Sequence, residues 1–171
     1  LRFETNEDNN IDSNIVLFRV DISLDWLPQN EFDITLIIFN TDSGIDIECF
    51  GANPIIHSAS KTIEVKVNNR TSSSISDNDI TNATNNIRRM QDNENIRLNW
   101  DLTGDIYDTY FGTLNLRTEN EAACVYFDDE WNDNVCSECE ISDDKTQCFC
   151  NCDRDGLFSL IIRERSADAF E

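Results

Sequence analysis

Apolar and polar residues alternate with a period of two along most of this chain. The first run places Leu17, Arg19, Asp21 and Ser23 on one face of an extended segment and its main apolar set on the other, Val16, Phe18, Val20, Ile22 and Leu24. Successive side chains of a β-strand point to opposite faces, so the run predicts a half-buried strand. Pro28 should end it, because proline has no N–H to donate to a ladder.

Comparable runs recur at Ile34 to Ile38, Ile45 to Cys49, Ile55 to His57, Ile63 to Val67, Ile96 to Leu102, Leu114 to Leu116, Ala122 to Tyr126 and Phe158 to Ile162. Turn-forming residues separate them, and no segment has a convincing amphipathic helical pattern. Two half-apolar sheets must bury their faces against each other. We therefore predict an all-β fold, an antiparallel β-sandwich of roughly nine or ten short strands in a single domain over residues 1–171.

One long segment, residues 68–94, breaks the alternation with a polar composition rich in Asn, Ser, Thr and Asp. A loop of this length is uncommon inside a compact domain, so we interpret it as an insertion, with a boundary between two lobes as the alternative. It carries two Asn-x-Ser/Thr sequons, at Asn69 and Asn82, which are candidate glycosylation sites.

Charge excludes several classes of partner. The 171 residues carry a formal net charge of -21, which repels phosphate backbones and anionic lipid. We therefore expect no nucleic-acid partner. The chain also has no apolar run of about 18 residues, the length that a membrane-spanning helix needs.

Six of the seven cysteines lie in one stretch, residues 123–163. Such density has two common causes, a metal site or a set of disulfides. Cys136-x-x-Cys139 and Cys148-x-Cys150 offer four thiolates for zinc, but the second pair is tighter than usual and two cysteines are left over. Together with the sequons, the cysteines favour a disulfide-stapled domain in an extracellular compartment.

The same stretch resembles a known family. Cys124-Val125-Tyr126-Phe127, Trp131, Cys136, Cys148-Phe149-Cys150 and the apolar run after Phe158 follow one another as in the GPS motif. This motif forms the last strands of GAIN domains in adhesion-type receptors and in polycystin-like or REJ-like membrane proteins. Val135 departs from the motif, which usually has Gly there.

The resemblance implies a disulfide pattern, because the family pairs its first cysteine with its third and its second with its fourth. Carried over, this predicts Cys124 with Cys148 and Cys136 with Cys150. Cys139 and Cys152 depart from the motif and are candidates for a third bridge. Cys49 is then left over, and we interpret it as a buried free thiol.

Cleaving members of this family cut their own chain. In them a His-Leu-Ser/Thr tripeptide follows the Cys-x-Cys-x, and the hydroxyl attacks the preceding carbonyl. Counting from Cys150, the equivalent positions are Cys152-Asp153-Arg154; counting back from Phe158, they are Arg154-Asp155-Gly156. Neither supplies a hydroxyl nucleophile, so we predict an uncleaved, non-enzymatic module with no catalytic residue. A Cys-His hydrolase using His57 is the remaining enzyme hypothesis, and we favour a structural role for that histidine.

Acidic clusters raise the question of calcium. Asn151, Asp153, Asp155 and Gly156 match positions 1, 3, 5 and 6 of an EF-hand loop, but Ile162 occupies position 12 and no helices flank the loop. We favour a solvated acidic turn, with calcium as the alternative and no other cofactor. Asp128-Asp129-Glu130 and Asp143-Asp144 are interpreted in the same way.

Two functions are compatible with these features. The first is an extracellular structural or adhesion module, an uncleaved GPS-like domain that links an ectodomain to the membrane region of a polycystin-like or receptor-like protein. Its partners would be other proteins or neighbouring domains, and sequence outside this chain would tether it to the membrane. The alternative is a structural subunit of an extracellular or ciliary surface filament. A transmembrane segment soon after residue 171 of the full-length protein would distinguish the first from the second.

Overall fold

A computed structural model describes residues 1–5, 15–29, 31–39, 49–50, 53–59, 61–69, 95–102, 106–112 and 118–166. In chain order the strands are β1 (Arg2–Glu4), β2 (Val16–Ile22), β3 (Phe32–Phe39), β4 (Cys49–Phe50), β5 (Asn53–Ser58), β6 (Thr62–Asn69), β7 (Ile96–Asp101), β8 (Thr118–Asp128), β9 (Glu130–Asn132), β10 (Glu140–Ile141), β11 (Gln147–Cys152) and β12 (Gly156–Ser166). One short helix, α1 (Ile106–Tyr110), follows β7.

The strands form two antiparallel sheets. The first has the order β1-β2-β7-β11-β10. In the second, β12 is flanked by β6 and β5 on one side and by β8 on the other, with β3 outside β6 and β9 outside β8. The all-β, antiparallel prediction is therefore confirmed. The described strands outnumber the nine or ten predicted, since β1, β9 and β10 have only two or three residues and a period-two pattern is too short to reveal them.

One core lies between the sheets. The first sheet contributes Leu98 and Trp100, and the second contributes Val65, Phe158 and Leu160; all five are fully buried in one cluster. Burying a side chain of this size stabilises a fold by roughly 1.5–3 kcal/mol. The two sheets thus form a sandwich, as the alternation of the sequence requires.

β2 corrects one detail of the predicted alternation. Its pairing with β7 shifts register between Leu17 and Arg19, which marks a β-bulge. Before the bulge Leu17 points into the core, and after it Val20 and Ile22 do so. Phe18, predicted to face the core with Val16, is only half-buried and lies outside that cluster. A bulge adds one residue to one strand, so the inward face changes from odd to even numbers.

β12 is the central strand of the second sheet. Its segment from Phe158 to Ile162 is at most 2% exposed at every position. The outer face of this sheet is covered as well, because Val125 and Ile161 form a second apolar cluster against which Trp131 packs. A strand buried on both faces reads as a continuous apolar run rather than as an alternation, and Leu157 to Ile162 has that composition apart from Ser159.

Several sequence predictions fall outside the described residues. They include the strand at Ile45 to Ile47, the strand at Leu114 to Leu116, and all but the first two residues of the polar segment 68–94; Asn68 and Asn69 end β6. Among the described helices, none has the length and apolar character needed to cross a membrane.

Candidate functional site: a cysteine clasp between the two sheets

Strand β11 presents three cysteines to the core. Cys148, Cys150 and Cys152 occupy alternate positions and therefore share one face, and each is fully buried. Their register partners on β7 are Trp100, Leu98 and Ile96 respectively. The Cys-x-Cys-x-Cys spacing is thus a strand signature, which directs all three sulfurs towards the second sheet.

A disulfide joins the two sheets. Cys124 on β8 bonds to Cys150 on β11, with 6.5 Å between the Cα atoms. β8 is paired with the central strand β12 along ten residue pairs. The bridge therefore ties the strand pair β8 and β12 of the second sheet to the first sheet.

A second disulfide acts within the first sheet. Cys136 bonds to Cys152, with 4.0 Å between the Cα atoms, and the two residues also form an antiparallel backbone bridge. Around it the amide of Ser137 donates to the carbonyl of Asn151 at 2.7 Å, and the amide of Asp153 donates to the carbonyl of Val135 at 3.2 Å. This bridge holds the segment after β9 along the edge of β11.

The observed pairing differs from the one that the family resemblance implied. Cys124 was expected to bond to Cys148, Cys136 to Cys150 and Cys139 to Cys152. Cys148 lies two residues from Cys150, or roughly 6.5–7 Å along the strand, so Cys124 reaches Cys150 instead. Cys136 lies directly opposite Cys152 and not Cys150. The bridges are therefore shifted by two residues along β11.

We call the six cysteines from Cys124 to Cys152 the clasp. Two of them, Cys139 and Cys148, are free thiols beside the two disulfides. The sulfur of Cys139 lies 3.7 Å from that of Cys124, and the sulfurs of Cys124, Cys139 and Cys150 all lie within 4.8 Å of one another. Burial of the Cys139 thiol, followed by its hydrogen bond to Cys148, raises the pKa of Cys139 well above its ordinary value. Cys139 and Cys148 are thus neighbouring thiols beside the inter-sheet disulfide. The side chain of Cys49 lies outside the described part of the chain.

The four cysteines of the zinc hypothesis do not come together. Cys136 and Cys150 are each bonded to a different partner, so the set Cys136, Cys139, Cys148 and Cys150 offers only two thiols. The sulfurs that do cluster are Cys124, Cys139 and Cys150, of which two share a disulfide. Zinc binds thiolates, and a disulfide supplies none.

The segment that corresponds to the family's cleavage site is the connection from β11 to β12. The carboxylate of Asp155 accepts a hydrogen bond from the amide of Val67 at 2.9 Å, and Asp153 pairs with Arg154 at 2.8 Å. Gly156 has a φ of 151°, and a Cβ there would lie 2.2 Å from Cε2 of Tyr126. No side chain larger than hydrogen fits at position 156 unless the tyrosine ring moves.

His57 lies on β5, where its Nδ1 is 3.3 Å from the hydroxyl of Tyr110 at the end of α1. The two rings are tilted, with centroids 5.1 Å apart. Burial lowers the pKa of His57, which keeps the imidazole neutral at pH 7. The structure therefore gives this histidine a packing contact with the helix.

The acidic residues proposed for calcium have other partners. Asp153 pairs with Arg154, and Asp155 accepts a hydrogen bond from the amide of Val67, as described. In the turn before β11, Asp144 accepts hydrogen bonds from Ser142 and Thr146, which lower its pKa. Asp129 occupies the tip between β8 and β9 with a φ of 60°. These groups stabilise turns.

Two features of the site had no signal in the sequence. Arg163 on β12 donates from Nε to Glu121 at 2.5 Å and from Nη1 to Asp133 at 2.9 Å, which ties β12 to β8 and to the segment after β9. Tyr126 packs against Phe158 and over Gly156. Asp133 is not near Arg163 in sequence, so only the folded chain brings these charges together. Of the candidate glycosylation sites, Asn69 is the last residue of β6 and Asn82 lies outside the described residues.

No protein-family model matches this chain, and no curated protein matches it.

Proposed function

We propose that the chain is a non-enzymatic, extracellular structural or adhesion module, an uncleaved GPS-like domain that links an ectodomain to the membrane region of a longer, polycystin-like or receptor-like protein. One observation carries the proposal: the Cys124–Cys150 disulfide ties the pair β8 and β12 to the opposite sheet. A bridge between sheets resists their separation under load. Cysteine pairs at disulfide distance are also compatible with an extracellular location.

The order of the bridges supports the GPS-like assignment. If Cys150-x-Cys152 takes the place of the family's tight pair, Cys124 pairs first with third and Cys136 pairs second with fourth. The same alignment places Arg154-Asp155-Gly156 at the cleavage tripeptide, the register obtained by counting back from Phe158. Gly156 then stands where the attacking hydroxyl would be, and the ring of Tyr126 fills the space beside it.

Absence of self-cleavage is tested on the secreted chain. We expect one band on denaturing electrophoresis under reducing conditions, and an intact mass equal to that of the whole chain after glycan removal. Two fragments that separate between Cys150 and Phe158 would overturn the uncleaved assignment. A cut before Gly156 leaves every cysteine of the chain on the N-terminal fragment, so such fragments would separate with or without reductant.

The mechanical role is tested by single-molecule pulling from the two ends of the chain. The Cys124–Cys150 bridge closes a segment with a sequence separation of 26 residues. At ~3.4 Å per extended residue, reduction should lengthen the fully unfolded chain by roughly 90 Å. The oxidised chain should also unfold at higher force. Equal unfolding forces in the two states would contradict a load-bearing role for the clasp.

A further inference from the structure

We infer that Cys139 and Cys148 are the site of a third disulfide, which lies against the Cys124–Cys150 bridge and completes a four-sulfur cluster between the sheets. The inference rests on the extracellular location proposed above. It follows from the position of the two free thiols: the Cys139 side chain forms a hydrogen bond with that of Cys148, and the Cys139 sulfur lies 3.7 Å from that of Cys124.

The surroundings favour a disulfide over a metal. Cys148 is fully buried among apolar residues of the core, and Glu121 adds negative charge near Cys139. Burial and this charge disfavour the thiolate of Cys139, and a metal ion binds thiolates. A disulfide is uncharged, so it removes two polar S–H groups from the core at no electrostatic cost.

The two thiols differ in access, which assigns their roles in the reaction. Cys139 is partly exposed and Cys148 is buried. The oxidant is a disulfide, either a small-molecule disulfide or that of an oxidoreductase. Cys139 loses its proton, and the transient thiolate attacks the oxidant and forms a mixed disulfide; the leaving sulfur takes up a proton and departs as one thiol. Cys148 then loses its proton and attacks the Cys139 sulfur, which forms the new S–S bond and releases the second thiol. Two protein thiols are oxidised and one oxidant disulfide is reduced to two thiols.

The proposed Cys139–Cys148 bridge would join the two strands of the β10–β11 hairpin, near the end opposite its turn. Cys148 pairs with Ile141 across β10 and β11, and Cys139 immediately precedes β10. The Cys136–Cys152 bridge already holds the other end of this segment. With both closed, the segment from Cys136 to Ile141 is covalently fixed to β11 at two points.

The test is disulfide mapping of the secreted chain, alkylated under denaturing conditions without reductant and digested at acid pH. Electron-transfer fragmentation assigns bonds within Cys148 to Cys152. We expect a Cys139–Cys148 cross-link and complete protection of both cysteines from alkylation. Cys139→Ser should leave Cys148 alkylated, and Cys148→Ser should leave Cys139 alkylated, with the other two bridges intact in both variants.

Two outcomes overturn the inference, and they are distinguishable. Alkylated Cys139 and Cys148 in a chain with intact Cys124–Cys150 and Cys136–Cys152 bridges would overturn the third bridge and leave the proposed function standing. Reduced clasp cysteines with one equivalent of zinc per chain, measured by elemental analysis, would overturn both. If the two serine variants fold less well, the wild-type map alone still decides between these outcomes.

Discussion

The two disulfides of the clasp differ in what they join. Cys124–Cys150 crosses from one sheet to the other, and both residues are at most 2% exposed. Cys136–Cys152 links two neighbouring segments of the same sheet that backbone hydrogen bonds already hold together. Without the first bridge, only packing would hold the two sheets together at this point. The second bridge reinforces a contact that backbone hydrogen bonds already make. A dense cluster of cysteines can therefore contain bridges with unequal structural importance.

The largest effect should come from removing the inter-sheet bridge. Cys124→Ala with Cys150→Ala should lower the free energy of unfolding by about 4–5 kcal/mol, from lost loop-closure entropy and from truncation of two buried side chains. The matched variant Cys136→Ala with Cys152→Ala should lose less, about 3 kcal/mol, because it opens a shorter loop and Cys136 is only partly buried. Denaturant unfolding measures both. Equal losses would contradict the distinction between the two bridges.

Gly156 tests the covalent crossing between the sheets, because the chain passes there from β11 to β12. Gly156→Ala should destabilise the fold by about 2 kcal/mol, since its φ of 151° disfavours a side chain and the new Cβ meets Tyr126. A double-mutant cycle with Tyr126→Ala separates the two causes. The steric part should disappear in the double variant, and full additivity would show that no clash exists.

A substitution at Arg163 tests the ion pairs that join β12 to β8 and to the segment after β9. Arg163→Met should cost about 1–2 kcal/mol, because it leaves Glu121 and Asp133 without their shared guanidinium in a partly buried setting. The control is Arg154→Met, whose partner Asp153 lies in a more exposed pair. That change should have little effect. A loss at Arg154 as large as that at Arg163 would show that exposure does not decide the strength of these pairs.

His57 gives the smallest expected effect, at the contact between α1 and the second sheet. Burial lowers the pKa of His57 below its ordinary value of 6.5. The unfolded chain therefore binds a proton at higher pH than the folded chain, so stability falls as the pH drops through about 6.5. His57→Phe should remove this component. The readout is the difference in stability between wild type and variant from about pH 7.5 to 5.5; a constant difference would contradict a pKa lowered by burial.

The sequence allowed the sandwich to be predicted because alternation reports which face of a strand is buried. It failed at β2, where the bulge after Leu17 reverses the inward face without any change in residue type. The clasp was located correctly, but its pairing was not. Cys148, Cys150 and Cys152 share one face and differ only in their position along β11. Which of them faces Cys124 or Cys136 depends on how the sheets stack. The order of residues in the sequence does not report this stacking, and it does not reveal the approach of Tyr126 to Gly156.

The most direct test of the account is the identity of the partner of Cys124 in the secreted, fully oxidised chain. Peptide mapping without reductant, with fragmentation that resolves Cys148 from Cys150, should find Cys124 bonded to Cys150 and Cys136 bonded to Cys152. A Cys124–Cys148 bond would contradict the two-residue shift along β11, and with it the alignment that places Gly156 at the cleavage position.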